Sequence, residues 1–323
     1  MQAITYHQYG SSEVLRCEEV EKPEPADDQV LLRVCAASVN PLDWRFMRGN
    51  PFFLRLFLGL RKPRAGRPGV DVAGIVEAIG RNVKNFRSGE AVFGTGKGAF
   101  AEYACALEAK LAHKPDNLTF EQAAALPIAG ITALQGLRDK GKLQPGQKAL
   151  VNGAAGGCGT YAVQIAKWMG AEVTGVCSSR NVEMVRSLGA DQVIDYTKED
   201  FTHRPERHDV IFDCVANHSP SAYKRVLTPR GVYVGIGGPH DITFFGLLAG
   251  MLSTRFVSLF ASQRFVTLLA KTNRKDLEAL AALSAAGTIR PVIERSYPLN
   301  AGREAVGHVE AGHARGKVLV IPD

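Results

Sequence analysis

No two of the six cysteines lie within four residues of one another, so the chain has no CxxC pair and no thiolate cluster of zinc-finger spacing. A disulfide framework is not expected in a chain of 323 residues, and a reducing compartment fits this cysteine usage. Cys35, Cys177 and Cys214 end strand-like apolar runs and read as small buried hydrophobes. Long hydrophobic stretches are also missing. The longest uncharged apolar run is Ile242–Leu252, short of the ~20 residues that span a bilayer. The first residues carry no basic region followed by an apolar core and a small-residue cleavage site. A soluble, cytoplasmic protein without stable membrane insertion is expected. Lys and Arg read as scattered rather than clustered with aromatics, which argues against a nucleic-acid partner. The formal net charge of +7 suits an acidic small ligand instead. No internal repeat or low-complexity tract is present.

What is there is ordinary globular composition, 46% hydrophobic and 22% charged, with length enough for two domains. Residues 1–119 hold short β-like runs separated by turns: Val30–Cys35, Gly69–Ile79, Glu90–Phe93 and Ala99–Ala106. That spacing predicts a small barrel-like β domain. At Thr119-Phe-Glu-Gln122 a capping-box signature opens an Ala-rich helical region, interrupted by Pro127 and Gly130. From Gln147 to about Gly237 strands and helices alternate, which predicts a parallel sheet covered on both faces. The chain then reads as apolar and irregular to Leu269, helical over Asp276–Ala286, and extended over Ile289–Ile293 and Lys317–Ile321.

The stretch Gln147–Arg180 organises the rest. Lys148–Val151 reads as a buried strand, and Gly153, Gly156, Gly157 and Gly159 crowd the turn after it. Tyr161, Val163, Ile165, Ala166 and Met169 give a helical apolar surface ending at Gly170, and Ala171–Val176 is a second strand. Ala154-Ala-Gly-Gly-Cys-Gly159 is GxGxxG with alanine at the first glycine. In a strand–turn–helix–strand context it predicts a dinucleotide held by its pyrophosphate at the helix N-terminus. The second strand runs into Val176-Cys-Ser-Ser-Arg180, with no acid until Glu183. A carboxylate there would accept from a ribose 2′-OH, whereas Ser178 and Arg180 would donate to a 2′-phosphate. One charge-assisted contact of this kind contributes about 1.5–3 kcal/mol, enough to favour NADPH over NADH. Tyr196 stacks on the adenine or touches the ribose in one reading and is a packing aromatic in the other.

Two chemistries are excluded. Positions that would hold catalytic zinc read Ser38-Val-Asn-Pro-Leu-Asp43 and Gly69-Val-Asp-Val72, and no histidine lies between His7 and His113. No metal is expected. None of the eight tyrosines has Lys four residues on, which excludes the Tyr-x-x-x-Lys proton donor of short-chain reductases.

The chain resembles the zinc-free, quinone-oxidoreductase-like, NADP-dependent branch of the medium-chain dehydrogenase/reductase superfamily. The resemblance rests on Ala37-Ser-Val-Asn-Pro-Leu-Asp-Trp44, Gly69-Val-Asp-Val-Ala-Gly74, Gly98-Ala-Phe-Ala-Glu-Tyr103, Ala123–Pro127 with Thr132-Ala-Leu134, Gly153–Gly159, Leu188-Gly-Ala-Asp191 with Val193–Tyr196, and Gly316-Lys317. It implies an α/β fold in which a GroES-like β-barrel domain, residues 1–122 completed by 270–323, accompanies a doubly wound Rossmann domain, residues 123–269. It also implies a homodimer. Carried over residue by residue, Asn40 sits beside the nicotinamide ribose or substrate as a positioning group, and Thr132 contacts the nicotinamide end. Gly153 and Ala155 shape the phosphate turn, while Gly156, Gly157 and Cys158 present backbone N–H groups to the pyrophosphate. Ser178, Arg180 and Tyr196 hold the 2′-phosphate end. Asn217 lies by the nicotinamide ribose, Gly235, Ile236 and Gly237 flank the carboxamide, and Lys317 reaches the cofactor ribose or phosphate. Trp44, Phe52 and Phe53 stand where some relatives place a tyrosine, so they are assigned to the substrate pocket and the proton donor is unassigned.

The expected reaction is hydride transfer from NADPH to a lipophilic quinone or α,β-unsaturated carbonyl, acceptors that need less assistance in a site lacking a Lewis acid because charge spreads into their π system. A non-catalytic NADPH-binding sensor and a zinc-free reductase of aldehydes or ketones stand as alternatives. Pro51–Leu60 and Phe244–Phe260 are apolar and read as a lipophilic substrate pocket plus a dimer edge. For Pro51–Arg64, with Arg61, Lys62 and Arg64 at its end, a membrane-surface role is the rival reading.

Overall fold

The computed structural model describes residues 1–52, 55–64, 66–236, 262–312 and 314–322. They form two compact units, Met1–Ile131 with Thr272–Asp323, and Thr132–Lys271.

The first unit is mostly β. Strands β1 (Gln2–Thr5) and β2 (Arg16–Glu19) pair with each other. The main sheet runs β14 (Ile293–Pro298), β15 (Lys317–Ile321), β3 (Gln29–Val39), β4 (Asp71–Ile79), β5 (Ala91–Thr95), β7 (Leu111–His113), with β6 (Tyr103–Leu107) also on β3. β15 pairs antiparallel with β3, which ties the last residues of the chain to an early strand. Helix α1 (Pro41–Arg48) leaves the end of β3, and α2 (Arg55–Leu58) follows it. α1 has Pro41 in its first turn and stops at Gly49, whose φ of 58° is left-handed. The core gathers Ile4, Leu32, Trp44, Met47, Phe86 and Phe100.

Helices α3 (Phe120–Ala124) and α4 (Pro127–Gln135) come next. Both halves of the capping box form, Gln122 N to Thr119 Oγ1 at 3.2 Å and Thr119 N to Gln122 Oε1 at 2.9 Å. α3 packs on β3 and β4, which is why the unit boundary falls at 131 and not at 122. Pro127 does interrupt the helical region, since α3 ends at Ala124 and α4 begins at Pro127; Gly130 does not, and lies within α4. A Cβ at Gly130 would sit 3.0 Å from Leu280 Cδ1, so the glycine serves the close approach of α8 (Arg274–Ala285). The expected strand at 289–293 is instead β14, starting at Ile293, and α9 (Gly302–Glu310) separates it from β15.

The second unit holds β8 (Lys148–Asn152), β9 (Glu172–Cys177), β10 (Gln192–Asp195), β11 (His208–Asp213), β12 (Leu227–Gly235) and β13 (Arg264–Thr267). Their order is β10-β9-β8-β11-β12-β13, with every pairing parallel. This is the doubly wound order, reversing between β8 and β11. Helices α5 (Gly157–Trp168), α6 (Val182–Ser187) and α7 (Pro220–Arg225) connect the strands. β13 was expected as irregular chain; four residues are too few for a periodicity, and pairing with β12 makes them a strand. A core of Leu150, Val176, Ile211, Tyr223, Tyr233 and Phe265 fills this unit. Only Cys177 of the six cysteines is buried; Cys17 is exposed and the other four are intermediate, against the expectation of buried thiols. Among the described residues no helix is long and apolar enough to cross a membrane.

Candidate cofactor site

Gly153 leaves β8 with φ of 82°, a backbone that side chains resist, and a Cβ there would meet Val215 Cγ2 at 2.9 Å. Gly159 allows the turn to close, because its Cβ would lie 2.0 Å from Gly153 O. Gly156 is the N-cap of α5, and no side chain caps that helix. A Cβ on Gly156 would find only Gly153 O, at 3.5 Å, so packing does not require glycine there. What the glycine preserves is open space over the first turn of a 12-residue helix, whose N–H groups lack intrahelical acceptors and carry the positive end of the dipole. That donor set fits a pyrophosphate. One assignment changes: the Gly156 N–H donates to Gly153 O at 3.1 Å and is used in closing the turn. Ala155 is buried beneath the turn, whereas Cys158 is half-buried in the first helical turn.

At the end of β9, Ser178 is half-buried and Arg180 is exposed. Asn181, the residue before α6, donates from Nδ2 to Ser178 Oγ at 3.2 Å. Tyr196 is 58% exposed, so it is not a buried packing aromatic. The surprise is Asp195. It ends the neighbouring strand β10, register partner of Cys177. Its carboxylate accepts from Ser179 Oγ at 2.5 Å and Thr197 Oγ1 at 2.7 Å, with Lys198 Nζ at 3.4 Å. These hydrogen bonds, Ser179 foremost, hold its pKa down to about 2. An ionised acid therefore does stand near the end of β9, supplied by the strand beside it.

Where the strand order reverses, β8 and β11 end side by side in Asn152 and Asp213. Asp213 is fully buried. Its Oδ1 accepts from Asn152 Nδ2, Val215 N and Ala216 N, each at 2.9 Å, and its Oδ2 from Tyr233 Oη at 2.8 Å. Burial, then the Asp213 charge, pushes the Tyr233 hydroxyl well above its ordinary range, so it is a fixed donor. Asn152 Nδ2 also donates to Asn217 Oδ1 at 3.0 Å. Ile236 N donates to Asp213 O at 3.0 Å, which brings the end of β12, with Gly235, to the same edge. Gly237 lies outside the described residues.

The first unit has its own polar centre. The β3–β4 register sets Ser38 beside Asp71, and β15 begins with Lys317 next to the pairing of Val318 with Val39. Asp71 Oδ2 accepts from Ser38 Oγ at 2.8 Å and Asn40 Nδ2 at 2.9 Å; its Oδ1 accepts from Ile128 N, in the first turn of α4, at 3.0 Å. Lys317 Nζ donates to Asn40 Oδ1 at 2.7 Å and stands 3.5 Å from Asp71 Oδ2, with side chains 3% and 0% exposed. Asp43 accepts from Asn40 N at 2.8 Å and Gly69 N at 3.0 Å. Burial pushes its carboxyl up to about 7, aided by the Asp71 charge and opposed by those hydrogen bonds and Lys317. Asn40 is therefore clamped: both ends of its amide are held, and which end is oxygen is set by the ammonium on one side and the carboxylate on the other. Lys317 is committed to this buried network. Trp44 is 3% exposed and belongs to the apolar core, so it lines no open pocket, and Phe52 is 62% exposed, not enclosed. Phe53 lies outside the described residues. Thr132, in α4, is half-buried at the boundary of the units.

Residues 26–116 match the alcohol dehydrogenase GroES-like domain family and residues 188–320 the zinc-binding dehydrogenase family. The chloroplast envelope quinone oxidoreductase homolog of Arabidopsis thaliana is 35% identical over all of this chain and 98% of its own length. The NADPH-dependent alkenal/one oxidoreductase of the same plant, a chloroplastic protein, is 33% identical over all of this chain and 80% of its own. The Escherichia coli quinone oxidoreductase solved in complex with NADPH superposes with a TM-score of 0.85 at 26% identity, covering 100% of both chains. The chain belongs to the quinone-oxidoreductase-like branch of the medium-chain dehydrogenase/reductase superfamily.

As a medium-chain dehydrogenase/reductase it must be tested for zinc. Among the described residues no group of three His, Cys, Asp or Glu side chains could hold a metal ion. The described residues do not fit the group that one family description names. Sequence reasoning missed Asp71, Asp213, Asn152 and Asp195. Each was signalled weakly, as a polar residue at the end of an otherwise apolar strand such as Lys148–Asn152 or His208–Asp213.

Proposed function

We propose that the protein is a zinc-independent, NADPH-dependent reductase of quinones or α,β-unsaturated carbonyls. The observation that carries this is the N-terminus of α5, left without a side-chain cap at the carboxyl end of β8, beside the point where strand order reverses. The relatives' names support the substrate class, and the NADPH in the Escherichia coli structure supports the cofactor.

When bound, the nicotinamide supplies the hydride. The chain's own part is binding and orientation. The first turn of α5 takes the pyrophosphate, and Arg180, Ser178 and the Tyr196 ring take the adenosine phosphate end. Asn152, Asp213 and Tyr233 brace the strand ends, which makes them positioning residues. In the β unit the Asp71–Lys317 pair holds Asn40 in one orientation; Asn40 is itself buried with both ends of its amide engaged, which makes it a positioning residue. No side chain here is assigned as the proton donor; a conjugated acceptor reduced to an enolate or hydroquinone anion takes its proton from water.

Coenzyme choice is the finer point. Arg180 favours a 2′-phosphate, whereas the ionised Asp195 opposes one, with Lys198 offsetting part of its charge. The reading is NADPH, and Asp195 is the observation that would favour NADH. Steady-state oxidation of NADPH and NADH with a panel of quinones and enones tests both points. Oxidation of neither cofactor by any acceptor would refute the enzyme reading in favour of a binding protein, and a higher kcat/KM with NADH would refute the cofactor reading alone.

A further inference from the structure

The basic residues are not evenly spread. Residues 41–70 hold seven Lys and Arg against a single acid, Asp43, in a chain whose formal net charge is +7. Asp43 is buried and serves α1 and Gly69, so it offsets nothing at the surface. Within this stretch Phe52, Leu56 and Leu60 recur at four-residue intervals and are 62%, 64% and 57% exposed. The segment is folded: Gly59 N donates to Arg55 O at 2.8 Å, Arg64 N to Leu58 O at 2.7 Å, and Tyr9 Oη to Gly59 O at 2.6 Å. Arg55 donates to Arg48 O and Gly49 O at 3.2 Å, capping the end of α1, and lies over the Tyr9 ring at 4.4 Å. The loop closed by Arg64 and Leu58 thus carries Leu60, Arg61 and Lys62 at its tip, all exposed. Among the described residues neither Arg61, Lys62 nor Arg64 has an ion-pair partner, whereas Arg48 pairs with Glu310.

We infer that this face docks reversibly on an anionic lipid surface. Three large apolar side chains beside unpaired cations match the acyl–headgroup boundary of a bilayer, which takes both. Nucleic acid would use the cations and leave the two leucines in water. A symmetric contact with a second copy would set Arg61, Lys62 and Arg64 against the same residues of its twin, a like-charge arrangement. The face lies at the interface and does not span it, in keeping with a four-residue helix at its centre.

The test is sedimentation of the full chain with vesicles of phosphatidylcholine alone or mixed with phosphatidylglycerol. Binding is expected only to the mixed vesicles, and is expected to fall as salt rises from about 0.1 M to about 1 M and the screening length shrinks from ~10 to ~3 Å. Arg61→Gln/Lys62→Gln should weaken partitioning by roughly fivefold per cation, about 25-fold for the pair. Leu56→Ser/Leu60→Ser should weaken it more than about tenfold, through the lost apolar area. All four side chains are exposed, so both variants should unfold at the wild-type temperature, which is checked alongside. Four results would overturn the inference: equal binding to neutral vesicles, no binding to either, no loss in the variants, or retention of a DNA duplex as strong as that of the mixed vesicles. Conversion of a dimer to a monomer by Leu56→Ser/Leu60→Ser would also overturn it, by making the face a self-association surface.

Discussion

Gly156→Ala separates the folding role of the glycine turn from its binding role. Gly156 has φ −81° and ψ 176°, extended backbone that alanine adopts freely. The added Cβ would meet no atom closer than 3.5 Å. Alanine is a worse N-cap than glycine by roughly 0.5–1 kcal/mol, which is offset by about 0.4–1 kcal/mol from restricting the unfolded chain. The thermal midpoint of the free protein should therefore stay within about 2 °C of wild type. Binding is another matter, because the methyl occupies the space over the first turn of α5. Losing one hydrogen bond from that turn to a charged phosphate costs about 1.5–3 kcal/mol, roughly ten- to 150-fold in Kd. Gly159→Ala is the contrast. Its Cβ would stand 2.0 Å from Gly153 O and 2.8 Å from Ala154 Cα, so the turn itself must move and both stability and affinity should fall. The assay is NADPH fluorescence titration paired with thermal unfolding of the unliganded protein. Unchanged NADPH affinity in Gly156→Ala would refute phosphate binding at this helix, and a large stability loss would refute the claim that the space is open.

Other perturbations address the remaining parts of the site. Arg180→Ala should weaken NADPH by about ten- to 150-fold while leaving NADH nearly unchanged, and Asp195→Asn should shift preference further toward NADPH; equal effects on both cofactors would count against a 2′-phosphate site. Lys317→Met leaves Asp71 charged and buried and strips Asn40 Oδ1 of its 2.7 Å donor. Breaking such a pair costs about 3–5 kcal/mol, roughly 6–20 °C in the midpoint of the first unit. The two tryptophans, Trp44 and Trp168, lie one in each unit, so Trp168→Phe leaves a fluorescence reporter on the first alone. A shift under about 2 °C would refute the coupling. Two groups give opposite pH windows. Asp43 holds its proton up to about 7 when folded against about 3.9 unfolded, so its stabilising contribution is full below about pH 4 and is lost as pH rises through about 7. His208, buried and close to Lys148, is depressed from 6.5 to about 4. Its contribution is full above about pH 6.5 and lost as pH falls through about 4. Unfolding measured across pH 4–7 should show Asp43→Asn flattening the first unit's dependence and His208→Leu flattening the second's; parallel curves for variant and parent would refute the assignments.

Local periodicity and turn chemistry were enough to read the second unit's framework. β8, α5 and β9 fall within one or two residues of their expected limits, because the glycine turn, the capping pattern and the buried strand runs are all contiguous. The four-residue β13 escaped, since only its ladder to β12 distinguishes it from coil. Boundaries near α4 moved for a similar reason: whether Gly130 breaks a helix depends on Leu280, 150 residues away in the chain.

For the site, the sequence by itself determined the phosphate turn, since a βαβ glycine pattern carries its own geometry. It also placed Arg180 and Tyr196 at strand ends. Only the tertiary structure decided what surrounds them. Asp195 reaches the end of β9 through strand pairing, and Asp71, Asn40 and Lys317 meet because β3, β4 and β15 lie side by side in one sheet. Charge–charge and hydrogen-bond energies depend on distance in space, and residues far apart along a chain acquire those distances only when strands pair.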